Sequence, residues 1–232
     1  MASASPFSIL QDGSQPLHKH PHESFSDARE LEARLGSTVK GEVRFDDASR
    51  SLYATDSSNY RQVPIGLVIP KDSADVIATV AACREFEAAI LSRGGGTSVA
   101  GQTCNVAVVI DFSKYMHAVV ELDPIGRRAR VEPGIVLDAL RVEAEKHELT
   151  FAPDPATHSR CTLGGMIGNN ACGVHALMGG KTVDNVEALD ILLYDGTRMR
   201  VGRTTEDELT AIIAAGGRRG EIYAGLRHLR DT

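Results

Sequence analysis

The chain has 232 residues, 42% of them hydrophobic and 24% charged, and a net charge of −6. That balance belongs to a globular protein long enough to bury a core, and without a Lys/Arg-rich face it excludes a general nucleic-acid or anionic-membrane surface. Apolar runs such as Val106 to Ile110 fall far short of the ~20 residues that span a bilayer; no basic region followed by an apolar stretch opens the chain, so a cytoplasmic location is expected.

Residues 1–25 are polar and carry the run His18-Lys19-His20-Pro21-His22, which has neither periodicity nor a flanking core, and they read as a disordered leader. Residues 26–60 read as a helical lead-in, with Ser26 as N-cap, Leu31 and Leu35 on one face, and Gly36 as the stop. The ordered core is expected to begin near Val63, where an apolar strand runs to Pro70. Asp72 and Ser73 then offer an N-cap to a helix with Ile77, Val80 and Ala81 on one face. The strand Ala89 to Arg93 follows, so the first unit is strand, helix, strand, with a glycine loop at a strand's carboxyl end. Val106 to Ile110 reads as a buried strand. Next come a hairpin (Val119 to Leu122, Arg128 to Glu132), a helix from Ile135 to His147, and a glycine-rich segment from Leu163 to Gly173. A second hairpin, Ile191 to Tyr194 and Met199 to Val201, turns at Asp195-Gly196. The tail from Thr205 to residue 232 is helical, and the fold class is α+β.

The loop Arg93-Gly94-Gly95-Gly96-Thr97-Ser98, with Gly101 and Gln102 behind it, is the strongest chemical signal. Glycines let successive backbone N–H groups curl around one point and bind an anion. Thr97 and Ser98 add hydroxyl donors, and Arg93 is expected to supply a positive charge at the mouth. Each hydrogen bond to a phosphate oxygen contributes roughly 1.5–3 kcal/mol, so the loop suits a diphosphate. It is not a dinucleotide fingerprint, because the third glycine position falls on Val99. Gly180-Lys181-Thr182 is not a triphosphate loop either, since His175 stands where that motif needs glycine. In the segment from Thr162 to Gly173, glycines allow close approach to a flat ring, and Asn169 and Asn170 offer hydrogen-bonding amides; a helix packed tightly through its glycines is the other reading. Pro153-Asp154-Pro155 forms a rigid turn on the same wall. Cys83, Cys104, Cys161 and Cys172 show no metal-site spacing and read as free thiols. His158 and His175 have the chemistry for acid–base work but no carboxylate beside them in sequence.

The ordered set formed by Pro70, Arg93 to Ser98, Gly101-Gln102, Val131-Glu132-Pro133-Gly134, Pro153-Asp154-Pro155, Leu163-Gly164-Gly165 and Asp184-Asn185-Val186 resembles the FAD-binding (PCMH-type) domain of the vanillyl-alcohol oxidase/p-cresol methylhydroxylase superfamily. The similarity is strongest to its D-lactate dehydrogenase/glycolate oxidase branch, including large forms fused to a ferredoxin-like module. The resemblance implies two α/β subdomains holding FAD between them, over residues 61–204. It implies that Arg93 to Ser98, Gly101 and Gln102 wrap the pyrophosphate, with Pro70 and Val186 near the adenine. Pro153, Asp154, Thr162, Gly164, Gly165, Gly168, Asn169, Asn170, Cys172 and Gly173 would line the rest of the cofactor. Thr97 stands where relatives with covalent flavin often carry histidine, which implies FAD held without that bond; Cys172 replaces a frequent glycine and Gly179 a frequent tyrosine.

By the same resemblance the reaction is oxidation of a 2-hydroxy acid (D-lactate, glycolate or D-2-hydroxyglutarate) by hydride transfer from C2 to flavin N5. The motifs of a substrate-binding half are absent, so the chain is expected to be part of a longer oxidoreductase, with residues 205–232 opening the following region. The electron acceptor and the catalytic base are not identified, and an iron–sulfur cluster has a place only in a further C-terminal region. A nucleotide-binding or regulatory module without redox chemistry, or a non-catalytic remnant, remains the alternative.

Overall fold

Three parallel strands and one antiparallel strand organise the first half of the protein. The computed structural model describes residues 27–232; the leader, its histidine run and Ser26 lie outside the described residues. Helix α1 (Ala28–Thr38) brings Leu31 and Leu35, one turn apart, into full burial. β1 (Glu42–Arg44) follows, then the short helix α2 (Asp47–Leu52), whose N-cap Asp46 accepts from the Ser49 amide at 2.8 Å. β2 (Gly66–Ile69) leads into α3 (Ser73–Glu85), started by Asp72, which accepts from the amides of Ala74 and Asp75. β3 (Ile90–Arg93) and β4 (Val108–Asp111) complete a sheet of order β1-β2-β4-β3, in which only β1 is antiparallel. β2 and β4 are buried along their whole length, which is why they read as unbroken apolar runs.

The lead-in is part of this core. Leu31, Leu35, Val68, Cys83 and Val108 form one buried cluster, so the packed structure begins at α1 and not near Val63. α1 also passes through Gly36 to Thr38, whose hydroxyl bonds the Arg34 carbonyl. A Cβ at Gly36 would meet nothing within 4 Å, so that glycine sits in an ordinary exposed helical position and stops nothing.

The second half is built from β5 (Val119–Asp123) and β6 (Arg128–Val131), α4 (Leu137–Glu145), α5 (Leu163–Asn169), the four-residue α6 (Ala176–Gly179) and a 3-10 turn over Thr182–Asn185. Ile135, Leu137, Leu140, Leu163 and Met166 form its core. β7 (Ala188–Leu192) and β8 (Arg198–Gly202) pair as a hairpin, followed by α7 (Glu206–Ala215) and α8 (Gly217–Asp231) around Met199, Leu209 and Tyr223. Thr205 and Glu208 form a reciprocal capping box that starts α7. Ion pairs from Arg128 to Glu187 (3.0 Å) and Arg130 to Asp190 (2.8 Å) connect the two hairpins. The Tyr194 hydroxyl donates to the carbonyls of Cys83 and Ala88, tying the β7–β8 tip to the first half.

Because Leu31 is fully buried in the sheet core, Leu31→Ala is expected to lower unfolding free energy by about 2–5 kcal/mol. Urea denaturation measures this; an unchanged midpoint would place α1 outside the core.

Candidate functional site

The parallel strands set where the glycine loop emerges. Val68, Ile110 and Ser92 are in register, so Pro70 after β2, Phe112 after β4 and Gly94 after β3 leave the sheet at its carboxyl edge. That edge is where open α/β sheets bind ligands. With β4 between them, Pro70 and Gly94 are two strand spacings apart, roughly 10 Å.

The loop presses on the second glycine segment. A Cβ at Gly94 would lie 1.9 Å from Thr162 Oγ1, and one at Gly95 2.2 Å from the Arg160 carbonyl oxygen, so only glycine permits this contact. Thr162 is buried, and its hydroxyl accepts from the Gly165 amide at 3.3 Å to cap α5. Gly96 (φ +63°) and Gly101 (φ +77°) take the left-handed conformation that turns the loop. Gly101 also packs closely against Tyr60, where a Cβ would lie 2.8 Å from Cδ2. Among the described residues, none accepts from the backbone amides of residues 94 to 99. The Thr97 and Ser98 hydroxyls flank them, and Gln102 Oε1 accepts from the Ala100 amide.

Arg93 corrects the sequence reading. Its guanidinium does not stand at the mouth of the loop as a free charge. It donates to the carbonyls of Tyr53 (3.3 Å), Thr103 (3.1 Å) and Thr55 (2.8 Å), and it stacks 5.1 Å from the Tyr53 ring centroid. Tyr53 in turn donates to the buried Asp111 carboxylate, and burial followed by that bond pushes its phenol upward. The Ser57 amide donates to the Gly96 carbonyl, and the Asp56 carboxylate accepts from the amide and hydroxyl of Thr103. Arg93 therefore fastens the loop from behind. The residues that hold it, Tyr53, Asp56 and Asp111, were missed because their partners lie tens of residues away in the chain and no local pattern announces them.

The second segment divides between its two readings. Gly164 serves packing: its amide donates to the Pro133 carbonyl at 2.8 Å, and a Cβ would lie 2.9 Å from Pro133. Gly165 is exposed, with only Thr162 Oγ1 near a would-be Cβ, and Gly168 has nothing within 4 Å. Asn169 and Cys172 are exposed. Asn170, in contrast, ends α5 at φ +49°, and its Oδ1 accepts from the Val183 amide, a structural bond. Val186 borders an apolar hollow of about 210 Å³ with Ile167, Thr182 and Val183, which brings it beside α5. The carbonyl of the buried Pro153 accepts from Arg141, and Asp154 pairs with His175. His158 Nδ1 sits 2.8 Å from the Asp138 carboxylate, so both histidines have acid partners that sequence proximity did not reveal. Cys83, Cys104 and Cys161 are buried, and burial pushes the Cys83 thiol up to about 12. Among the described residues no group of three His, Cys, Asp or Glu side chains is placed to hold a metal ion, and no helix is long and apolar enough to cross a membrane.

Comparison with known proteins gives the family and the fold. Residues 64–202 match the family model described as FAD binding domain, and the chain belongs to that family. It is 37% identical over 205 residues to a D-2-hydroxyglutarate dehydrogenase of Pseudomonas putida, covering 87% of this chain and 20% of that protein. It is 33% identical to glycolate oxidase subunit GlcD of Escherichia coli, over 65% of this chain and 30% of that one. Among solved structures, alkyldihydroxyacetonephosphate synthase superposes with a TM-score of 0.67 at 18% identity, covering 79% of this chain and 40% of the other. The chain thus spans a fifth to about a third of the length of these curated relatives.

Asp56 gives the loop support a pH dependence. Burial opposes its ionisation, but hydrogen bonds from Ser58 and Thr103 outweigh that and hold the carboxyl at about 2, against an ordinary 3.8. A depressed folded value means the stabilisation is complete above the unfolded value and is lost as pH falls through the folded one. Urea midpoints are therefore expected to drop between about pH 4 and pH 2. Asp56→Asn should flatten that drop; an identical pH profile in the variant would remove Asp56 from the support.

Proposed function

We propose that this chain is the FAD-holding part of a flavin-dependent oxidoreductase that oxidises a 2-hydroxy acid of the D-2-hydroxyglutarate, D-lactate or glycolate class. The observation that carries the reading is the run of amides from Gly94 to Val99 with no acceptor among the described residues, in a loop pressed against Thr162 at the carboxyl edge of the parallel sheet. A pyrophosphate needs a concave set of donors without competing acceptors, and the Thr97 and Ser98 hydroxyls extend that set. Family membership supports FAD as the diphosphate, and relatives named for 2-hydroxy-acid oxidation support the substrate class.

In this reading the loop amides of residues 94 to 99, with Gly101 and Gln102, hold the pyrophosphate. Gly165, Gly168, Asn169, Cys172 and Gly173 line the ribityl chain and ring, and Pro70 and Val186 lie toward the adenine. Arg93 keeps the loop in shape through the three carbonyls it binds. When bound, FAD supplies the two-electron acceptor for the alcohol carbon. Thr97 offers no imidazole for a covalent flavin link, so the cofactor is held by hydrogen bonds and packing. The chemistry at the substrate belongs to the longer protein of which relatives of this kind consist.

The purified chain is expected to take up FAD with quenched flavin fluorescence and to prefer FAD over ATP in calorimetry; binding of ATP alone would overturn the reading. Gly168 tests the groove separately. A side chain there meets open space, so Gly168→Phe should fold with an unchanged circular dichroism spectrum. It should nonetheless weaken FAD about tenfold or more by filling the ring's place. Wild-type affinity in that variant would put the flavin elsewhere.

A further inference from the structure

We propose that Asp154 is a positioning residue: with His175 it clamps the turn from Cys172 to His175 and so sets the wall on which the flavin ring lies. The inference rests on the FAD reading above, and it assigns Asp154 a role other than touching the cofactor.

Asp154 stands between two buried prolines, Pro153 and Pro155, so its backbone has little freedom. Arg141 on α4 secures the approach by donating to the carbonyls of Phe151 and Pro153, each at 3.1 Å. From this fixed point the carboxylate reaches across to the turn. Oδ1 accepts the His175 backbone amide at 3.2 Å, and Oδ2 is bonded by His175 Nδ1. Gly173 lies directly against it, since a Cβ there would sit 2.0 Å from the Asp154 carbonyl oxygen and 2.2 Å from Oδ1. The carboxyl side chain is 15% exposed whereas the imidazole is 72% exposed, so the acid is the anchored partner and the histidine the one captured. The His175 bond also holds the carboxyl below its ordinary range, with Arg141 acting in the same direction.

What the clamp holds is a turn whose own leading amides, those of Cys172, Gly173 and Val174, find no acceptor among the described residues. The side chains of Val174, Leu177 and Met178 are almost fully exposed. The turn's remaining bonds run within itself and α6, from Ala176 to the Gly173 carbonyl and from Met178 and Gly179 to the His175 carbonyl. Apart from Asp154, residues 172 to 174 are fixed from their two ends: at Ala171, whose amide binds the Met166 carbonyl and whose carbonyl accepts from Thr182, and at α6, where Asn185 Nδ2 donates to the Gly179 carbonyl at 2.7 Å.

Cys172 reports on this turn, because it is the exposed cysteine while the other three are buried, so a nitroxide reagent labels it selectively. In the FAD-free chain, Asp154→Ala and His175→Ala are each expected to shift that label's spectrum toward its mobile component, since each removes a hydrogen bond between the carboxylate and the turn. The double variant should be no more mobile than Asp154→Ala alone, which already removes both bonds. Asp154→Asn should stay near the wild-type spectrum, because its amide keeps an acceptor for the His175 N–H and the imidazole can change tautomer to accept from it. FAD affinity of the unlabelled proteins should follow the label mobility across the set. An unchanged label spectrum in His175→Ala, an exposed position where circular dichroism checks the fold, would overturn the clamp even if Asp154→Ala failed to fold. So would FAD affinity that ignores the clamp when wild type binds FAD. If wild type binds no FAD while the mobility changes as expected, the cofactor reading fails, and with it the purpose assigned to the clamp, but not the clamp's geometry.

Discussion

The contact between Gly94 and Thr162 is the constraint around which the site is organised. With a would-be Cβ 1.9 Å from the threonine hydroxyl, the first glycine loop lies directly on the residue that starts the second glycine-rich helix. This seam joins the carboxyl edge of the parallel sheet to the second half of the protein. It also explains why two glycine clusters about seventy residues apart in sequence form one surface. A side chain on either Gly94 or Gly95 would push the halves apart at Thr162 and Arg160.

Behind the seam, charge is used to shape the backbone. Arg93 satisfies three carbonyls, Asp56 gathers donors from Thr103 and Ser58, and Asp111 fixes the tyrosine against which the guanidinium stacks. Carbonyls and side chains are thereby spent internally, while the amides from Gly94 to Val99 meet no acceptor among the described residues. An excess of unpaired donors in one loop favours an anion there and disfavours a cation. Formal positive charge is not required for that preference, which is consistent with the guanidinium being committed elsewhere.

The far side of the site depends on a different economy of bonds. α5 begins with its amides already satisfied by Ile135, Pro133 and Thr162, so this helix start is a packing joint. Its other end, Gly168 to Gly173, is open and is held by Asn170 reaching Val183 and by Asp154 reaching His175. The hairpin β7–β8 closes the assembly by fastening Tyr194 to the carbonyls of Cys83 and Ala88. Three separate small cores are thus joined by polar contacts, an arrangement suited to a cofactor that lies along a boundary and not inside one core.

Much of this was legible in the chain itself. The βαβ unit ending in Gly94-Gly95-Gly96, the two hairpins, the helix start at Asp72, the helical tail from Thr205, and the family resemblance all follow from local rules: strand runs, caps and turns act over a few residues. The partnerships were not legible. Arg93 finding Tyr53 and Thr103, Leu31 finding Val68, and His175 finding Asp154 are meetings of residues distant in sequence, and side-chain type alone does not say which partner a charge or an apolar face will meet. Composition and spacing name the donors and the ligand class; which donors remain free for a ligand is settled when the chain packs and the rest are consumed.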